Sequence, residues 1–314
     1  MGHVSMSADV FRARSNPVGT LSTPYYRQFR VGGVTVQVAS DHLADVTLVP
    51  SLLPFRVDIG PSDINIQVGW VAKCSPASGH QLFDSGSLWR LYEAEDGLQF
   101  DFSTPILGDT PYKRLLVDDQ FSRASLLLSQ ESFKHRRAPA PLEYPLDEVL
   151  ITHRLTREKA IELHGCGIVP KNGGAAYLFV GHCGAGKSTT ARLWTSQQDV
   201  QILSDDRIIL REHAGQMSMY GTPWHGEAAY ASPASAPLSG IFVLEHGRGN
   251  AITRFSRSQT VSELFARSFV PFHRHEYVNS ALDVLQRVAD TVPCYRYSFE
   301  PDQRAVDKIL RFHD

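Results

Sequence analysis

The sequence predicts an α/β fold, α+β overall, with a β-rich N-terminal half followed by a domain of mixed sheet and helices. Three observations carry this. After residue 146, strand-like and helix-like runs alternate, the pattern of α/β proteins. Within that half, the apolar run Ala175 to Val180 leads into a glycine-rich loop and then a helix-like run, Ser188 to Ser196. Earlier in the chain, short alternating segments are joined by turn residues instead.

Taken in order, Phe29-Arg30-Val31 and Val34 to Val38 flank Gly32-Gly33, a two-residue hairpin signal. Asp63 to Val68 alternates with period two, as a half-buried strand does. Trp89 to Ala94 and Leu98 to Phe102 are joined by the turn Glu95-Asp96-Gly97. The charged run Lys134-His135-Arg136-Arg137 and the prolines Pro139, Pro141 and Pro145 then mark a boundary between domains at 1–145 and 146–314. Asp147 to Leu163 reads as an amphipathic helix, and Gly165 to Val169 as a strand. Lys171-Asn172-Gly173-Gly174 turns that strand back, so the run ending at Val180 is expected antiparallel to it. Val200 to Leu210 reads as a strand interrupted by two aspartates. Ile241 to Leu244, Ile252 to Phe255 and Cys294 to Phe299 read as strands. Val261 to Phe269, Val278 to Val292 and Asp302 to Phe312 read as helices.

Composition narrows the class. With 314 residues, 42% hydrophobic and 20% charged, the chain has ample core and ordinary globular chemistry. A formal net charge of −2 gives no basic footprint for nucleic acid and no polybasic membrane anchor. No apolar run approaches a membrane span. Met1 to Asn16 lacks a continuous apolar core, so no signal peptide is expected, and Met6 stands where a myristoylation pattern needs Ser or Thr. The cysteines Cys74, Cys166, Cys183 and Cys294 are scattered, which fits a reducing cytoplasm better than a zinc site or a disulfide scaffold.

The most specific signal is Gly181-His182-Cys183-Gly184-Ala185-Gly186-Lys187-Ser188-Thr189, a G-x-x-x-x-G-K-S phosphate loop between a strand and a helix. Glycines let consecutive backbone N–H groups turn inward around an anion, and the helix points its positive end at the same phosphates. Lys187 supplies charge near the outer phosphates, and the Ser188 hydroxyl suits magnesium. Ser204-Asp205-Asp206 is the second signal. The run Val200 to Leu203 delivers two adjacent carboxylates to a strand end, only 17 residues beyond Ser188. Alternation along a strand lets one face a metal while its neighbour serves another group. An aspartate pair can also simply close a strand as a turn.

Other residues stay open between two readings. His164 either caps the end of the preceding helix or belongs to the site. Gly221 to Glu227 is either a lid or a surface turn with Trp224 tucked inward. Phe272-His273-Arg274-His275 reads as a solvated turn rather than a metal site. Cys183 reads as a small tolerated loop residue, with sensitivity to oxidation a minor alternative.

Leu163-His164-Gly165, the phosphate loop and Ser204-Asp205-Asp206-Arg207 together resemble the catalytic domain of the HPr kinase/phosphorylase family, over roughly the half of the chain from His153 onward. Gly221 to Glu227 and Pro237 to Phe242 look like an HPr-kinase-related branch that includes lasso-peptide kinases. The resemblance implies a fold like that of phosphoenolpyruvate carboxykinase, and an ATP- and Mg2+-dependent kinase acting on a serine of a peptide or protein, or on a small hydroxyl compound. It implies Asp205 as general base with His164 beside it. Lys187 and the loop amides would hold the phosphates. Ser188 and Asp206 would serve the metal, Glu227 the metal or the acceptor, and Arg267 would touch the transferred phosphoryl group. No Arg-Gly-Leu-Gly-type signature follows the aspartate pair, so HPr itself and the reverse reaction are not implied. Two alternatives remain: a nucleotide-gated regulatory protein, which needs the loop but not Asp205 as a base, and a carboxykinase acting on a small acid, for which no basic cluster stands out.

Overall fold

The computed structural model describes residues 24–108, 110–134, 140–247 and 249–312. The opening segment Met1 to Asn16, and residues 135–137 and Pro139 of the expected boundary run, lie outside them. The chain is mixed α/β, built on two large mixed sheets. It divides into two compact units. One holds Thr35–Val49 and Val57–Glu143 with the residues before Arg30; the other holds Tyr144–Asp314 with Arg30–Val34 and Pro50–Arg56.

The first half forms a nine-stranded sheet. Its inner strand Ile64–Val71 is parallel to both Val34–Ser40 and Arg123–Ser129. An antiparallel meander continues through Lys113–Val117, Gly97–Phe102, Trp89–Ala94 and Gln81–Asp84. Ile64, Ile66 and Val68 are buried while Asn65 and Gln67 are exposed, the period-two pattern of a sheet with one covered face. Arg114 grips Asp101 across neighbouring strands at 2.6 and 2.8 Å. No α-helix interrupts this half among the described residues.

The second half is organised by one long strand, Ala160–Pro170. It pairs antiparallel with the phosphate-loop strand Tyr177–Val180, in the register Gly165 to Val180. It also pairs with both arms of the aspartate turn, Val200–Ser204 and Arg207–His213. Beyond Tyr177–Val180 come Gly240–His246 and Cys294–Phe299 in parallel, then antiparallel Ala251–Arg254. Side chains alternate across this sheet. Leu178, Val180, Ile241 and Val243 pack with Leu264, Val284 and Leu285 of the helices Arg257–Phe265 and His275–Thr291. Phe179, Phe242 and Leu244 pack on the other face with Trp194 of the helix Lys187–Gln197 and Val306 of the helix Gln303–Leu310. Phe179 and Phe242 are stacked with centroids 5.4 Å apart. Burial of each contributes roughly 1.5–3 kcal/mol.

Two helix expectations are corrected. The helix expected from Asp147 to Leu163 spans Leu146–Arg157 and stops there. Lys159 takes φ 53°, a left-handed conformation that breaks helical hydrogen bonding, and the chain enters the long strand. His164 is therefore mid-strand, and its reading as a helix cap falls. The helix expected from Val261 to Phe269 lies earlier, at Arg257–Phe265, because Ser256 and Gln259 form a capping box at its start. Ser268–Phe269 instead pairs with the long strand at Glu162 and Leu163. No described helix is long and apolar enough to cross a membrane.

Candidate phosphate-binding site

The phosphate loop leaves the sheet at Val180, and the Gly181 amide donates to the His164 carbonyl at 3.2 Å, tying the loop to the long strand. His182, Cys183 and Gly184 are exposed. Gly186 caps the helix with φ 100°, and a side chain there would meet the Phe299 ring at 2.5 Å, so only glycine fits. Ala185 and Gly186 are half-buried, as are Ser188 and Thr189 in the first helical turn. His246 braces the outer side: its Nε2 donates to the Gly184 carbonyl at 2.8 Å and its ring stacks on Phe299. Lys187 is 6% exposed and donates to the Gly181 and His182 carbonyls at 3.0 and 3.1 Å. Burial lowers its proton affinity, Asp206 and Cys183 oppose that, and Arg207 adds to it.

The aspartate turn is closed by Ser204, whose Oγ accepts the amides of Asp206 and Arg207. Its two carboxylates have different surroundings. Asp205 is wholly buried. Its Oδ2 accepts from Ser188 Oγ at 2.9 Å and the Ala228 amide at 3.0 Å; its Oδ1 accepts from the Gly226 and Tyr230 amides at 3.0 and 3.3 Å. Asp206 is partly exposed. His164 Nε2 donates to its Oδ1 at 2.7 Å, and Arg207 Nη1 bonds its Oδ2. Burial pushes Asp206 up, but the His164 hydrogen bond and the charges of Arg207 and Lys187 outweigh it and hold the carboxyl below its usual range.

The two aspartates differ in their access to an acceptor. A general base must meet its acceptor, and Asp205 has no exposed surface and four donors already on it. Its pairing with the loop serine is the arrangement that holds magnesium in phosphate-loop enzymes. Asp206 is the carboxylate with open surface and a histidine beside it. The Ser188–Asp205 pair thus fits a divalent ion carried in with phosphates. Among the described residues no three His, Cys, Asp or Glu side chains form a metal cluster on their own.

The remaining expected residues fall as follows. Glu227 is exposed, while the amides on either side of it, at Gly226 and Ala228, bond Asp205. Arg267 is mostly buried, with Nη1 on the Glu263 carboxylate at 2.6 Å. Its charge is the main cause of the lowered proton affinity of His182 in the loop. Trp224 is buried and donates to Asp147 Oδ2 at 3.0 Å, so the segment Gly221 to Glu227 is anchored inward while its end wraps Asp205. The expected turn is present, with Phe272 and His275 exposed, but His273 is half-buried. Its ring lies 5.2 Å from that of His153, tilted by 32°, and beside Tyr277.

Sequence reasoning missed the amides of Gly226, Ala228 and Tyr230, and backbone groups carry no residue-type signal. It also gave no role to Arg207, Glu148 and Glu162. One signal was present: Glu162 and His164 occupy alternate positions among Ile161, Leu163 and Gly165, which puts two polar groups on one side of an otherwise apolar strand.

No protein-family model and no curated protein sequence matches this chain. Among solved structures, it is similar to the Hpr(Ser) kinase/phosphatase from Coxiella burnetii, with a TM-score of 0.29 and 11% identity over 48% of this chain and 93% of that one. Likeness at that level assigns neither a fold family nor an activity, and the geometry of this chain carries the functional reading.

Proposed function

We propose that this protein is an ATP-dependent phosphotransferase that moves the γ-phosphate to a hydroxyl, with a serine of a peptide or protein as the acceptor. The observation behind this reading is the pair of contacts at the aspartate turn: Ser188 of the phosphate loop on Asp205, and His164 on Asp206. The loop amides and Lys187 bind the phosphates, neutralising charge that grows on the transferred group. Ser188 and Asp205 hold Mg2+, which when bound supplies Lewis-acid charge stabilisation. Asp206, ionised at neutral pH, accepts the proton of the acceptor hydroxyl as its oxygen bonds to the γ-phosphorus and the bond to the ADP oxygen breaks. His164 keeps the Asp206 carboxylate turned toward the acceptor.

The test is incubation with ATP and a panel of serine-bearing peptides, read by mass spectrometry. A phosphopeptide made by the native chain, and absent with Lys187→Ala and Asp206→Asn, supports the reading. Transfer that persists undiminished in both variants overturns it. Phosphorylation of a small hydroxyl compound alone would keep the reaction and replace the acceptor.

A further inference from the structure

Behind Asp206, on the side away from the phosphate loop in sequence, three elements converge on one guanidinium. Arg207 Nε donates to Glu148 Oε1 at 2.9 Å, from the first turn of the helix Leu146–Arg157, and lies 3.4 Å from Glu162 Oε1 on the long strand. Its Nη1 holds Asp206. Its flat face lies over the Phe269 ring at 4.0 Å. Glu162 is completely buried, and its Oε2 accepts from Thr152 Oγ1 at 2.6 Å. Arg207 is thus held by its neighbour Asp206, by the helix, by the long strand and by the Phe269 ring.

Charge counting sharpens the arrangement. Asp206 is also met by His164 and the Lys187 charge, whereas Glu148 and Glu162 converge on the one Arg207 guanidinium, and an unpaired charge out of water is costly. The nearby Tyr144 and the neutral Phe269 and Thr152 supply no further cation. A proton retained on the most buried carboxyl resolves the imbalance. We propose, on the phosphotransferase reading, that Arg207 is a positioning residue for the transfer reaction, clamped between Glu148 and a neutral Glu162 so that it fixes Asp206 against His164. Burial first, and the Glu148 charge second, hold the Glu162 carboxyl well above its usual range, with Arg207 and Thr152 opposing. The clamp makes Glu162 a neutral backstop, Glu148 the charged arm, and Arg207 the part that reaches the working carboxylate.

The experiment uses the full chain in two arms. In kinetics, Arg207→Met lowers kcat by about 10- to 100-fold, the usual cost of losing such an outer partner, while the KM for ATP stays constant. Arg207→Lys restores part of the loss. Glu162→Ala loses activity and Glu162→Gln, which copies the neutral acid, recovers most of it. In infrared difference spectra at neutral pH, the native chain shows the carbonyl band of a buried protonated carboxyl, and Glu162→Gln lacks it. An unchanged kcat in Arg207→Met, a KM for ATP that rises as kcat falls, or no such band overturns the clamp. If Arg207→Met does not fold, Arg207→Lys and the Glu162 pair decide. If the native chain transfers no phosphate to any acceptor, the phosphotransferase reading fails, and the infrared arm still decides whether Glu162 is the neutral member of the clamp.

Discussion

Asp205 and Asp206 are adjacent in sequence, yet one lies in a closed nest of donors and the other beside a histidine at a partly open surface. Both sit in the bend between the strands Val200–Ser204 and Arg207–His213, so the split comes from what packs on each side of that bend. The nest is made by a segment more than twenty residues downstream, whose amides converge on Asp205, and by the loop serine. The open side is made by the long strand, which brings His164 opposite Arg207 in register. Two identical side chains are thus given different work by what packs around them. On the proposed reading, one holds the metal and the other takes the proton.

The largest expected contrast comes from removing each carboxylate's charge in turn. Asp206→Asn should lower kcat by about 10²–10⁴-fold, the usual worth of a positioned base, with Mg·ATP affinity retained. Asp205→Asn should instead weaken Mg·ATP binding and also lower the melting temperature, since an amide nitrogen turned toward buried N–H donors leaves groups unsatisfied at roughly 1–3 kcal/mol. Equal kinetic and thermal effects of the two changes would erase the distinction. Calorimetric titration with ATP and thermal melts read both.

A smaller effect tests the anchor that presents the nest. Trp224→Phe removes the donor to buried Asp147 Oδ2, at a cost of about 1–3 kcal/mol. Burial raises Asp147 from 3.8 to about 6, against the Trp224 hydrogen bond. A raised carboxyl favours folding fully below its unfolded value and loses that contribution as pH rises through about 6. The Trp224→Phe penalty should therefore be larger at pH 8 than at pH 5, in melts across that range. Ser188→Ala is expected to do less to stability, because three amides remain on Asp205, while removing the Mg2+ dependence of ATP binding.

The smallest effect lies away from the aspartates, in the neighbouring rings of His153 and His273. Burial lowers His153 from 6.5 to about 3 and His273 from 6.5 to about 4, with the charge of Arg274 adding to both. Depressed histidines contribute stability above 6.5 that is lost as pH falls toward 4. His273→Phe should flatten that acid decline in the melting temperature without altering the contrast between Asp205 and Asp206.

The local parts of this site were legible in the sequence, because the phosphate loop depends on residue types at fixed spacing. The strand before it, the helix after it and the antiparallel partner were legible for the same reason. The long strand was not. Ile161 and Leu163 continue the apolar spacing of the helix that starts at Leu146, and no Gly or Pro marks the break, which Lys159 makes by its backbone conformation alone. Misplacing that break hid the pairing of His164 with Arg207, and with it the surroundings that distinguish the two aspartates. The capping box at Ser256 and Gln259 starts a helix at Arg257, four residues before the Val261 that apolar spacing alone marks.

The central claim, that Asp206 is the working carboxylate of a phosphotransfer site, is tested most directly by following γ-labelled phosphate from ATP to a serine peptide in the native chain and in Asp206→Asn, with Mg·ATP affinity measured on the same samples. The account predicts a loss of transfer of about a hundredfold or more with affinity unchanged. Transfer at the native rate in Asp206→Asn would contradict it.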